Sequence, residues 1–285
     1  MDPSADPTSQ ENLDRVTRTL GIPPCPAILA EFSATMQQAD PDVRRLAALI
    51  ASDIALSAAL LKFVNSPFFG LRTKAGNVRH ALTLIGLRAG ANLVTGLILR
   101  RAFPSASGPL MQRFWDRAGG ITAAALGIAR RLKDISADDA HTYALFRDCG
   151  IPVMIGNFSD YGDVFDSLET HPGMQIINRE QSRYGYSHAR VGYALARGWL
   201  LPEPMCRAIL HHHDFDKVAT NRDDVDSSTR RLIAFGLLVE QVASLRAAEG
   251  LCADWTAGEA FVLDTLAISA DQIIALASEP QNDRY

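Results

Sequence analysis

Hydrophobic residues recur along most of the chain with the three- to four-residue spacing of amphipathic helices. In residues 40–52 the apolar positions share one helical face, and Asp40 is placed to cap that helix. The next helix is expected to start at Asp53, and Asn77 is placed to cap the helix after it. No run alternates with period two, and no Asn-Gly or Asp-Gly hairpin turn occurs. The pattern predicts an all-α protein of about fourteen helices. Further candidate caps are Ser136, Ser159, Ser187 and Ser269.

Two turn-rich stretches divide the predicted helices. Residues 104–109 are small and rich in Pro, Ser and Gly, and residues 214–228 form a polar loop. We therefore expect a multi-helix bundle built of two packed helical subdomains and an annex. The predicted divisions are a disordered tail over 1–10, an N-terminal helical subdomain over 11–105, a second helical subdomain over 109–214, and a C-terminal helical annex over 225–278.

Composition changes this picture little. The 285 residues carry a formal charge of −4, with 47% hydrophobic and 21% charged residues, which excludes disordered and fibrous classes. The four cysteines are far apart, and the first residues are acidic rather than leader-like, so we expect reduced thiols in a cytoplasmic protein. Uncharged runs reach only about a dozen residues, so no membrane span is expected.

Charge is distributed unevenly along the chain. Residues 54–115 hold eight Lys and Arg side chains and no Asp or Glu. A basic segment of this kind raises nucleic-acid binding as a hypothesis. No recognised DNA-reading motif accompanies it, so nucleic acid is not the expected partner.

Histidine carries the remaining candidate chemistry. The nucleophile-elbow, phosphate-loop, dinucleotide-binding, HExxH and Cys–His zinc patterns are all absent. Three consecutive histidines occupy 211–213, and because helical residues are rotated by about 100°, at most two of them can enter one pocket. Favourable interaction with a helix C-terminus accounts for the run equally well. Asp148 is also expected at a helix C-terminus, where it needs a cationic partner such as Arg147.

Specific segments of the first half resemble a known family. Residues 60–70 end in Asn-Ser-Pro-Phe-Phe-Gly, and 81–87 contain Ile-Gly-Leu at the appropriate spacing. In this order they resemble the HDOD family, the HD-related output domains of bacterial signalling. One departure is Ile54, where the family usually has Pro. The family-motif positions are Asn65, Ser66, Phe69, Gly70 and Asn92.

The second half resembles the degenerate HD-like bundle of the same family. The resemblance implies that Arg147 stands where active HD phosphohydrolases carry the His of their His-Asp pair, and that Arg117 replaces their first His. Arginine is permanently cationic and offers no lone pair, so we expect no bound metal, no cofactor and no catalytic residues. What remains is a vestigial pocket that could hold a small anion. Its residues are Arg117, Arg147, Asp148, His188, His211 and His212.

Three functions follow from these features. The first is a non-catalytic output or regulatory protein of signal transduction, acting on a kinase, a receiver or a component of a cyclic-nucleotide pathway. Within it, the vestigial pocket could sense a small anionic ligand. The second is a metal-dependent HD-type phosphohydrolase or phosphodiesterase, with its metal on Asp148, His188 and His212. The third is nucleic-acid binding through the basic N-terminal half. The oligomeric state is not predicted.

Overall fold

The computed structural model describes residues 8–36, 38, 40–66, 71, 73–103, 108–132, 135–219 and 225–278. These residues form seventeen α-helices and no strand, which confirms the predicted all-α class. The helices are α1 (Gln10–Leu20), α2 (Ala27–Met36), α3 (Val43–Ala51), α4 (Ile54–Val64), α5 (Val78–Ile85), α6 (Leu87–Arg101), α7 (Pro109–Ala129), α8 (Ala137–Phe146), α9 (Gly150–Asn157), α10 (Gly162–Phe165), α11 (Gly173–Tyr184), α12 (His188–Gly198), α13 (Glu203–His211), α14 (Phe215–Ala219), α15 (Ser227–Arg246), α16 (Trp255–Leu266) and α17 (Ala270–Ser278).

Side-chain caps begin many of these helices. Asp53 accepts a hydrogen bond from the Leu56 N–H at 2.9 Å, and Asn77 accepts one from the His80 N–H at 2.8 Å. The Asn77 cap confirms the sequence prediction, and α4 begins at Ile54, next to the predicted start at Asp53. The prediction of Asp40 was wrong by two residues: Asp42 accepts from the N–H groups of Arg44 and Arg45, and α3 therefore begins at Val43. Ser136, Ser187 and Ser269 also cap as predicted, whereas Ser159 does not begin a helix.

The described residues between 24 and 104 form one compact unit, which contains α2 to α6. Helix α4 packs on α3, α5 and α6, with Leu56, Leu60 and Val64 fully buried along one stripe. The motif residue Asn65 follows this stripe. Its amide donates to the Ala75 carbonyl at 3.0 Å, and its carbonyl accepts from the Ala75 N–H at 2.7 Å. Asn65 therefore ties the end of α4 to Ala75, ten positions further along the chain.

The other motif positions vary in what the structure describes. Ser66 follows Asn65 directly, and its N–H donates to the Phe63 carbonyl. Asn92 lies half-buried on α6. Phe69 and Gly70 lie outside the described residues.

The second compact unit combines α1 with α7 to α17. Its centre is the long helix α15, which packs against α7, α8, α13, α16 and α17. Eleven residues of α15 are buried, so this helix is hydrophobic on most of its circumference. The segment assigned from sequence to a C-terminal annex is therefore part of the same core as residues 109–214.

Helix α1 belongs to this second unit rather than to the residues that follow it in sequence. Its buried Leu13, Val16 and Leu20 pack with α9 and α12. The Asn157 amide donates to the Leu20 carbonyl at 3.0 Å, and the Trp199 indole donates to the Pro23 carbonyl at 2.9 Å. The compact unit boundary near residue 23 thus differs from the predicted subdomain over 11–105, because these contacts span more than 130 positions and leave no local signal.

No single helix in the described part of the chain has both the length and the apolar character needed to cross a membrane. Two bent helix pairs, α3 with α4 and α16 with α17, reach that length and hydropathy only together.

A close crossing of α9 and α12 positions the polar centre of the second unit. A Cβ atom on Gly150 would lie 2.0 Å from the His188 carbonyl oxygen and 2.7 Å from the Gly192 nitrogen. Both of these atoms belong to backbone, so no side chain can move to make room. Because Gly150 has no side chain, the residues before α9 can lie next to the start of α12.

We expect Gly150→Ala to destabilise the protein by about 1–3 kcal/mol, because the added methyl group forces the two backbones apart. Gly127→Ala is the matched control: Gly127 is exposed in the interior of α7 with nothing within 4 Å, so alanine there should stabilise by up to about 1 kcal/mol. Urea denaturation measures both changes. A loss for Gly150→Ala no larger than the change for Gly127→Ala would contradict the close crossing.

His141, on α8, is 5% exposed, and its Nδ1 has no hydrogen-bond partner among the described residues. Burial lowers the pKa of His141 from 6.5 to about 4. His141 is therefore protonated near pH 6.5 in the unfolded chain but stays neutral in the folded protein. The free energy of unfolding falls as the pH decreases through that range. We expect this group to cost about 2 kcal/mol between pH 7 and pH 5. Urea denaturation of His141→Leu should show a shallower pH dependence than the parent; equal slopes would contradict the assignment.

Candidate functional site

Four side chains from three helix ends meet in the second unit. Asp148 lies in the turn between α8 and α9, and His188 is the first residue of α12. His212 and His213 follow directly after α13. Each of the four residues offers a donor atom that lies within 4.8 Å of the donor atoms of the other three. Because α13 ends at His211, the chain turns there and brings two consecutive histidines into one site.

The distances within this cluster of Asp148, His188, His212 and His213 are short. His212 Nε2 lies 3.3 Å from Asp148 Oδ1 and 3.4 Å from His188 Nε2. His188 Nε2 lies 3.8 Å from the same Asp148 oxygen. His188 is fully buried, whereas the Asp148 side chain is 27% exposed. The cluster is therefore closed at His188 and His212 and reaches the solvent-accessible cavity through Asp148 and His213.

A second layer of acceptors holds the imidazole rings. Glu180 is fully buried on α11, and its Oε2 lies 2.8 Å from His188 Nδ1. Asp254 Oδ2 lies 2.6 Å from His213 Nδ1. The third ring uses the backbone: His212 Nδ1 lies 2.7 Å from the Ile209 carbonyl oxygen. Each histidine thus has an oxygen acceptor outside the cluster.

The surroundings shift the pKa values of these groups. Burial is the largest single influence on the pKa of Asp148 and raises it, but the charge of Arg147 together with His212 and His188 outweighs burial and holds that pKa well below its usual range. Burial lowers the pKa of His212 to about 3, so this imidazole is neutral near pH 7. For His188, burial lowers the pKa but the Glu180 carboxylate raises it more strongly. At pH 7 the cluster is therefore an ionised carboxylate facing at least one neutral imidazole.

The two arginines beside the cluster are held by a glutamate of α15. Arg147 is buried, and its Nη2 lies 2.8 Å from Glu240 Oε1, while its Nη1 donates to the Gly236 carbonyl at 3.4 Å. Arg117 Nη2 lies 3.3 Å from the same Glu240 oxygen. The carboxylate partner predicted for Arg147 was Asp148, whereas its direct ion pair is with Glu240. Both guanidinium groups beside the cluster are therefore already in an ion pair with Glu240.

A cavity of about 330 Å³ opens over the cluster. Charged groups line much of its wall, and His213 and Asp148 lie at its inner end. The charged residues of the lining include Arg117, Arg147, Asp148, Glu169, Glu240 and Asp254. Acidic side chains outnumber basic ones among them. The cavity is thus better suited to a cation than to the small anion expected from its two arginines.

The predicted site residues are mostly brought together. Arg117, Arg147 and Asp148 line the cavity, and His188 and His212 belong to the cluster. His211 does not, because it is the last residue of α13 and is rotated away from its neighbours.

Four residues of the site were missed from sequence. Glu240 left one visible signal, since it is the only acid in the apolar stretch 232–243. His213 was visible as part of the run 211–213, of which at most two histidines were expected in one pocket. Glu180 and Asp254 left no signal, because each meets its histidine only in the folded structure.

The donor set fits one metal ion. Three imidazole nitrogens and one carboxylate are ligands that divalent transition metals accept. The cluster of Asp148, His188, His212 and His213 would hold the ion, while Arg117 and Arg147 can offer it no lone pair. The expectation of no metal rested on the two arginines, whereas the phosphohydrolase alternative placed a metal on Asp148, His188 and His212. The structure adds His213 to that donor set.

A known protein family matches much of this chain. The family model for the HDOD domain matches residues 22–215. This chain belongs to the HDOD family. An uncharacterised protein of Treponema pallidum is 29% identical over 196 residues, which make up 68% of this chain but 38% of that protein. This HDOD chain therefore spans about two fifths of the length of that relative.

Solved structures share the HDOD fold of this chain. A protein of Shewanella amazonensis, provisionally described as a phosphohydrolase, has a TM-score of 0.69 at 18% identity and covers 95% of this chain and 93% of its own. A protein of Marinobacter aquaeolei, provisionally described as a signal transduction protein, has a TM-score of 0.72 at 21% identity, covering 92% of this chain and 57% of its own. At these identities the likeness concerns the fold alone.

The buried pair Arg147–Glu240 should show strong energetic coupling. Glu240→Leu strands the buried Arg147 and should cost about 3–5 kcal/mol. Arg147→Met should cost less, because Glu240 keeps its ion pair with Arg117 at 3.3 Å, and the double variant should cost clearly less than the sum of the two. The exposed pair Arg113–Asp166, 2.9 Å apart, is the matched control and should couple by about 1 kcal/mol or less. Additive losses at Arg147 and Glu240 in chemical denaturation would contradict the buried ion pair.

Proposed function

We propose that this HDOD protein is a non-catalytic regulatory protein of signal transduction that acts through another protein. The partner would be a kinase, a receiver or a component of a cyclic-nucleotide pathway. The observation that carries the proposal is the buried Arg147, which stands beside Asp148 and is paired with Glu240 at 2.8 Å.

The chemical reasoning concerns what an arginine can do at this position. In an active HD site the residue before the aspartate supplies a lone pair to a metal, and a guanidinium has none to give. Arg147 also cannot swing away cheaply, since its buried guanidinium would lose its ion pair with Glu240, which costs several kcal/mol. Arg117 stands where active HD enzymes have their first histidine, and it too has no lone pair to give to a metal. The fold is retained while the ligand set for a two-metal centre is not.

The charge of the cavity bears on ligand sensing. A small anion would have to displace Glu240 from both arginines, and it would meet the ionised Asp148 behind them. This arrangement disfavours the anionic ligand that the two arginines suggested from sequence. Regulation through protein contacts needs no such ligand, so the proposal does not depend on it.

A metal-dependent phosphohydrolase is the second candidate. It is favoured by the cluster of Asp148, His188, His212 and His213 beneath an open cavity, and the fold is shared with a protein provisionally described as a phosphohydrolase. A divalent ion in that cluster would supply Lewis-acid activation of water toward a phosphate ester. The candidate is weakened because the two arginines neighbour the cluster and oppose further positive charge.

Nucleic-acid binding receives less support. Lys74 and Arg79 are exposed on the first compact unit, as a phosphate-binding surface requires. Arg101 on the same unit is engaged by Asp53 at 2.8 Å. No helix of the unit carries a recognised DNA-reading motif.

We expect no Mn²⁺-dependent hydrolysis of a cyclic dinucleotide or of bis(p-nitrophenyl) phosphate, because the ligand set for catalysis is incomplete. Protein prepared without nickel chromatography should be assayed beside Asp148→Asn, which removes the ligand carboxylate. Equal background rates for both agree with a regulatory role. Turnover by the parent that Asp148→Asn abolishes would overturn the proposal and favour the phosphohydrolase.

A positive test uses cross-linking in the native host. The recovered partner should be a signalling protein, and recovery should be the same for Asp148→Asn as for the parent, since a non-catalytic regulator needs no chemistry at that residue. Recovery of nucleic acid instead would favour the third candidate.

A further inference from the structure

The hydrogen atoms of three imidazoles can be assigned from their outer partners. Glu180 faces His188 Nδ1, the Ile209 carbonyl faces His212 Nδ1, and Asp254 faces His213 Nδ1. All three partners are oxygen acceptors, so each Nδ1 is placed to donate a hydrogen to its partner. In a neutral ring this leaves the lone pair on Nε2.

The lone pairs converge rather than pointing to solvent. His188 Nε2 and His212 Nε2 are 3.4 Å apart, and Asp148 Oδ1 lies 3.3 Å from the latter. His213 joins the same group within 4.8 Å, and with its Nδ1 engaged by Asp254, only Nε2 can serve as its ligand. Acceptor atoms that face one another at these distances repel each other. A cation bound between them would be coordinated by the same atoms and would remove the repulsion.

The outer carboxylates are themselves fixed by donors. Glu180 accepts from the Tyr161 hydroxyl and from the His188 N–H at 2.9 Å, and all of its side chain is buried. Asp254 accepts from the Gly173 N–H at 2.6 Å. A Cβ atom at Gly173 would lie 1.9 Å from His213 Nδ1, so the absence of a side chain there gives the ring its place. The carboxylates therefore have little freedom to turn away from the histidines.

The charges of the site leave room for one divalent cation. Its buried and half-buried carboxylates exceed its guanidinium groups by two. The carboxylates are Asp148, Glu180, Glu240 and Asp254, and the guanidinium groups are Arg117 and Arg147. A single ion of charge +2 balances this excess, and a second ion would not.

We propose that Glu180 and Asp254 are positioning residues that lock His188 and His213 as Nδ1–H tautomers, so that the cluster binds one divalent transition-metal ion through three imidazole nitrogens and Asp148. Imidazole-rich sites suit zinc and its neighbours in the periodic table. The ion is held whether or not the protein is catalytic, so this inference goes beyond the regulatory function and does not depend on it.

Metal affinity gives the first test. Chelator-treated parent protein should bind one Zn²⁺ per chain in calorimetry and in elemental analysis after dialysis. Glu180→Gln and Asp254→Asn should each weaken binding by about 10–100-fold, because the amides no longer enforce the tautomer or the basicity of the ring. The matched controls are Glu203→Gln, at an exposed ion pair, and Asp226→Asn, at the cap of α15, and both should bind as the parent does.

The spectrum of bound Co²⁺ separates positioning from general damage to the fold. Its visible absorption should change in Glu180→Gln and Asp254→Asn at saturating metal, while the two controls should keep the spectrum of the parent. If Glu180→Gln fails to fold, as judged by circular dichroism, Asp254→Asn decides the outcome. Unchanged affinity and unchanged spectrum in the folded variants would overturn the positioning roles.

The tautomers can be read in the parent protein alone. With ¹⁵N-labelled histidine and bound Zn²⁺, three of the seven histidines should show a protonated Nδ1 and a metal-shifted Nε2. Ligation of the metal through Nδ1 would overturn the proposal. So would a cluster that shares a proton between His188 and His212 and binds no metal in millimolar Zn²⁺. Neither readout depends on turnover, so absence of metal refutes this inference alone, whereas hydrolysis refutes the regulatory function alone.

Discussion

The buried ion pair between Arg147 and Glu240 sets the chemistry of the second unit. A guanidinium that is shielded from water needs a counter-charge, and α15 supplies it from a stretch that is otherwise apolar. This requirement joins the end of α8 to the C-terminal helices. It also places a permanent cation next to Asp148, where it stabilises the ionised carboxylate and removes one position from any ligand set.

Opposite the arginines, the site has the reverse character. Three imidazoles are backed by Glu180, Asp254 and a carbonyl, and they present lone pairs to one another. One half of the site thus lacks ligands and the other half has a complete set. This division reconciles a regulatory function with a metal-binding cluster, because an ion held on one side can order α11, α12 and the turn after α13 without supporting turnover.

Local features of the fold could be predicted well. The caps at Asn77 and Ser187 were predicted because a cap acts on N–H groups only two or three residues away. The same rule failed at Asp40, since Asp42 offers an equivalent carboxylate two residues later and local pattern does not choose between them. The packing of α1 with α9 and α12 was not predicted, because its amphipathic face fits any apolar partner.

The sequence by itself determined the all-α class, the family, and the presence of arginine at 117 and 147, where no lone pair is available to a metal. Only the tertiary structure decided which acids meet those arginines, which two of three consecutive histidines enter the cluster, and which ring nitrogen each presents. The reason is physical: helix caps and periodicity arise from neighbours along the chain, whereas Glu240 and Asp254 reach Arg147 and His213 across 93 and 41 positions. Such partners are chosen by packing, and packing exists only once the helices have assembled.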